Sequence, residues 1–95
     1  MTQHAGVSNF ERVRAVSARI AFQFPSTPEA IVLLEVVQQA VRDAFGYDDR
    51  HRDGALRYLR RTIVHAEICG VDSEWIRRQI RTAGLCLESE VAHAV

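Results

Sequence analysis

The chain has 95 residues, 47% hydrophobic and 25% charged, which suits one folded domain with a modest core and excludes a disordered chain. Twelve basic and twelve acidic residues give a formal net charge of zero, so the molecule has no bulk attraction to nucleic acid or to an anionic membrane. Two cysteines are too few for a disulfide framework, no opening run reads as a secretory signal, and no stretch approaches the roughly 20 apolar residues that cross a bilayer; a cytoplasmic location is expected.

Four helices and no strand are predicted, in one domain spanning residues 1 to 95. Ser8-Asn9-Phe10-Glu11 is a capping box, in which serine and glutamate side chains satisfy free amides at a helix start. Phe10, Val13, Val16, Ile20 and Phe24 then recur at helical spacing until Pro25 stops the run. Ser26-Thr27-Pro28-Glu29 opens the second helix with a capping hydroxyl, a first-turn proline and an acid at the positive helix end. That helix, at about residues 28 to 45, is polar only along the stripe Glu35, Gln38, Gln39 and Arg42, so its width predicts either the hub of the bundle or a subunit interface. Gly46 closes it. Asp48 or Asp49 caps a third helix expected to run to about Cys69, with Leu56, Leu59, Ile63 and Ala66 inward and His65 beside Arg61. The fourth starts at Asp72 or Ser73, ends at Gly84 and buries Trp75, Ile76 and Ile80. Residues 86 to 95 are expected to form a short acidic, flexible tail.

The charges are segregated. Residues 50 to 81 hold eight arginines against four acids, a local excess of +4 that leaves −4 elsewhere. All twelve basic residues are arginine, suited to bidentate binding of phosphate or guanine, though a GC-rich coding sequence explains the bias more simply. Inside the basic stretch, Ala66 and Gly70 lie four apart, Val71 follows, and Ile76 comes six residues after the glycine. The spacing resembles the generic helix-turn-helix, in which a small residue sits at the helix contact and a glycine in the turn. The resemblance covers about 20 residues and departs from the pattern at His65 and Gln79, where apolar side chains are usual. It implies double-stranded DNA as partner, with Ser73, Arg77, Arg78 and Arg81 facing the groove and Arg57, Arg60 and Arg61 anchoring phosphates.

The other constellations are weaker. Asp48-Asp49-Arg50-His51-Arg52-Asp53 has carboxylates and an imidazole for a metal, but its arginines repel a cation, and a solvated helix start is the better account. His65-Ala66-Glu67 lacks the paired cysteines of a zinc deaminase, and no catalytic triad can be argued. No metal, cofactor or catalysis is expected. The expectation is an all-α bundle of four helices whose last two form a helix-turn-helix-like corner, acting as a small DNA-binding transcriptional regulator. The competing expectation is a helical protein-interaction module, an adaptor or inhibitor similar in build to small phage or mobile-element products. A third is an oligomer that binds a small phosphorylated ligand between subunits. In each case a homodimer or higher oligomer is expected.

Overall fold

The computed structural model describes residues 9 to 87, and the expected capping Ser8 and the acidic residues 88 to 95 lie outside them. The described residues are all helical, without strands: α1 (Asn9–Gln23), α2 (Pro28–Ala44), α3 (Asp49–Arg60), α4 (Val64–Glu67) and α5 (Ser73–Thr82). Side chains fix three of the starts. Thr27 Oγ1 accepts from the Ala30 amide at 3.1 Å with Pro28 in the first turn, Asp48 Oδ1 accepts from Arg50 N at 3.0 Å, and Asp72 Oδ2 from Trp75 N at 3.0 Å.

The expected third helix is two helices. It stops at Arg60; Arg61 is extended, and a single turn, α4, begins at Val64. The β-branched run Thr62-Ile63-Val64 weakens the helix there, but at about 0.5 kcal/mol per residue that cost does not decide the break. Tertiary partners decide it. Ile63 N donates to Ser73 Oγ at 2.8 Å instead of completing the helical ladder, and Arg77 occupies the Leu59 and Arg61 carbonyls.

Two glycine turns end the last two helices. Gly70 (φ 84°) follows α4, where Gly70 N bonds Glu67 O and Val71 N bonds Ala66 O, both at 2.9 Å. Gly84 (φ 88°) repeats the arrangement after α5, with Leu85 N bonding Ile80 O at 3.2 Å. This is the Schellman turn, which needs a left-handed residue and drops an apolar residue onto the helix just ended. Here those residues are Val71 and Leu85, both buried.

α2 is the hub, packing on α1, α3 and α4, while α5 closes the far side against α1, α3 and α4. Val16, Ile20, Val37, Val41, Leu59, Ile63, Ile76 and Ile80 are fully enclosed in one cluster. Two expectations are corrected. Phe10 lies one turn beyond the core edge, 69% exposed with the Arg14 guanidinium 5.9 Å from its ring centre. Leu87, within the expected tail, is fully buried, and its carbonyl accepts from Arg60 Nε at 2.9 Å. Trp75 is half-buried against the core.

Candidate functional site

The corner between α3 and α5 is built from polar side chains that bind backbone. Ser73, 4% exposed, takes the Ile63 amide on its hydroxyl oxygen and donates its own backbone N–H to Glu67 Oε2 at 2.8 Å. The same hydroxyl donates to the Glu67 carboxylate, and these bonds together hold Glu67 below the usual glutamate range. Arg77 reaches from α5 to the end of α3, donating through one terminal nitrogen to Leu59 O at 2.9 Å and Arg61 O at 2.6 Å. Those carbonyls are the free ends of a terminated helix, where a cation is favoured. Arg77 Nε donates to Glu74 at 3.0 Å, and its side chain is only 16% exposed. Arg81 donates to the other Glu74 oxygen at 3.3 Å; Arg77 first and Arg81 second hold the Glu74 carboxyl low.

The seven residues expected at DNA therefore divide. Ser73, Arg60 and Arg77 serve internal bonds to Ile63, Leu87 and the end of α3, and Arg81 is engaged by Glu74. Arg57, Arg61 and Arg78 are exposed, and no hydrogen bond or ion pair holds their guanidinium groups among the described residues. Arg57 and Arg61 flank a shallow hollow with Thr62. The start of α5 is closed to anions: Glu67 and Asp72 fill the Ser73 and Trp75 amides, and Glu74 sits in the first turn. A helix start that reads DNA offers such amides to phosphate, and three carboxylates there oppose it.

No family model, curated protein or solved structure matches the chain. The geometry of its own residues carries the functional argument.

Two further features escaped the sequence reading. Between α2 and α3 runs an open cleft of about 710 Å³, with Glu35, Gln39 and Asp43 on one wall and Arg50 and His51 on the other. At its end Tyr58 Oη lies 2.7 Å from His65 Nδ1, so the partner of His65 is Tyr58 rather than the expected Arg61. Burial raises the Tyr58 phenol above its ordinary range. Helical spacing does not signal this pair, because the chain breaks between α3, which carries Tyr58, and α4, which carries His65. The second feature is an uncovered aliphatic surface. Ile31, Val32 and Val36 on α2, and Val64 and Ile68 at α4, are between 39% and 71% exposed. Val36 and His65 line the same cleft, which joins the two helices at this surface.

Among the described residues no group of three or more histidine, cysteine or acidic side chains is placed to hold a metal, and no helix is long and apolar enough to cross a membrane. Cys69 and Cys86 are free thiols.

Proposed function

We propose that this protein is a non-enzymatic protein-interaction module that docks through the outer face of α2 and the adjoining α4. The observation that carries the reading is the set of five branched aliphatic side chains left exposed on these two contacting helices. Single exposed aliphatics are ordinary; several on contacting elements of so small a domain mark a docking surface. The test places a photo-crosslinking residue at Val32 or Val36, and separately at Thr82 on α5, in the cell that makes the protein. Discrete protein adducts from the α2 positions, absent from Thr82 and lost with Ile31→Asp plus Ile68→Asp, are expected. Equal labelling from both helices would sink the proposal.

A second reading, a DNA-binding regulator, is favoured by the three unpaired arginines Arg57, Arg61 and Arg78. In it these side chains hold phosphates, while Arg77 and Ser73 shape the corner. Duplex binding followed by anisotropy across a salt series is its measurement. The reading expects each Arg→Ala change among the three to lower the log–log salt slope by roughly 0.9. No binding by folded protein at low salt would end it.

A further inference from the structure

We propose that the α2–α3 cleft is the contact face of a two-fold dimer of this chain, with Glu35 and Asp43 of one copy meeting Arg50 and His51 of the other across Gly54. The inference rests on reading the outer face of α2 as a docking surface and names an occupant for the part of it that borders α3.

Gly54 is the first support. It lies within α3, has no positive φ, and a Cβ built on it meets nothing within 4 Å. Glycine in a helix interior is destabilising relative to alanine. Neither conformation nor packing inside the chain requires it, whereas a second backbone brought close to α3 does. Ala40 and Ala55 beside it keep the cleft floor low.

Charge complementarity selects a second copy. The α2 wall is anionic: Glu35 is exposed, and among the described residues the Asp43 carboxylate takes a hydrogen bond from the neutral Gln39 at 2.9 Å. The α3 wall carries Arg50 and His51, both beside the Asp48 carboxylate. Arg50 gives Nε and one terminal nitrogen to Asp48, at 3.1 and 3.0 Å, and keeps three N–H donors for another acceptor. A two-fold axis through the cleft turns the Glu35 and Asp43 carboxylates of each copy toward the remaining Arg50 donors and the His51 ring of the other, the self-complementarity that an isologous interface needs. Zero net charge adds no overall repulsion between copies. Val32 and Val36 supply exposed apolar surface beside the walls. The face is small: α2 at 17 residues is about 25 Å long, and two helix widths give roughly 500 Å² per copy, below the ~800 Å² of a standard interface. A concentration-dependent dimer follows.

The experiment is sedimentation equilibrium from low micromolar to the solubility limit, with folding checked by circular dichroism. Two double variants are compared with wild type: Glu35→Arg with Asp43→Arg, and Arg50→Glu with His51→Glu. In the first both walls are cationic; in the second both are anionic. The expected result is a wild-type dimer, each variant alone weakened by at least about tenfold, and a heterodimer when the two are mixed. Gly54→Leu, whose side chain enters open space in the single chain, is expected to give a folded monomer and serves if a charge variant fails to fold. A wild type that stays monomeric throughout overturns the proposal, as does dimerisation unchanged in both variants or in Gly54→Leu. In the unchanged case, loss of the dimer with Val32→Asp plus Val36→Asp would keep α2 as a docking face while removing the charge-paired geometry. In the monomeric case, crosslinking from Val32 decides separately whether α2 docks a different protein.

Discussion

Ser73→Ala deletes the acceptor of the Ile63 amide, which is buried and outside any helix, and removes a donor to Glu67. Stranding such an amide costs about 1–3 kcal/mol, so equilibrium urea unfolding should show a loss in that range. Arg77→Ala is expected to cost a similar ~1–3 kcal/mol, because two carbonyls at the end of α3 lose their donor. Arg77→Lys should recover little, since a single ammonium cannot span both carbonyls and Glu74 in the guanidinium geometry. Arg78→Ala, one residue along and exposed, should stay within about 0.5 kcal/mol of wild type. The contrast separates a structural arginine from a surface one. Glu67 and Glu74 have folded-state values below the ordinary 4.5, so their contribution to stability is full above that value. It disappears as pH falls through the lowered folded values. Thermal unfolding should therefore weaken on acidification below about 4.5, with a shallower decline in Glu67→Gln, which starts from a lower melting temperature at neutral pH.

The helix boundaries that follow from local chemistry were legible in the sequence to within a residue: the caps, which the structure places at Thr27, Asp48 and Asp72, and the glycines after α4 and α5 each act within a turn of the chain. The break after Arg60 was not, because the groups that replace the helical ladder arrive from 10 to 18 residues away. Leucine and isoleucine spacing alone favours one long helix from residue 49 to 69, and it is the donors and acceptors of α5 that cut it. Two glycines test the element scale in opposite directions. Gly70→Ala forces a Cβ into the left-handed region and should cost about 1–2 kcal/mol. Gly54→Ala relieves backbone freedom with no clash and should raise monomer stability by up to about 1 kcal/mol in the same denaturant titration.

For the molecule as a whole, the apolar width of the second helix announced a hub or a subunit interface, and the structure shows the hub; which of its residues stay uncovered, Ile31, Val32 and Val36, depends on the packing of α3 and α4 and was not legible. The charge excess of residues 50 to 81 was equally visible, but a count cannot tell an arginine that binds carbonyls from one that faces water. Arg60 and Arg77 are of the first kind, Arg57, Arg61 and Arg78 of the second. Leu87 shows the same limit at the end of the described chain. Removing residues from 85 onward deletes two buried leucines and the acceptor of Arg60. At about 2–5 kcal/mol for each leucine against a total of about 5–15, the truncated chain should lose its helical circular dichroism near body temperature.

The Ile63–Ser73 bond also sets a clock. Amides in linkers ordinarily trade their hydrogen for solvent deuterium within seconds to minutes, while those that open only with the whole fold are protected by its full stability. The Ile63 amide sits outside any helix, yet its bond and complete burial place it in the slowest class, alongside the amides of α3. The stretch between α3 and α4 is then a weld rather than a hinge, and α5 keeps its angle to α3 for as long as the protein is folded. Whatever meets the arginines of this corner finds them on a preformed surface, with no backbone ordering left to accomplish on contact.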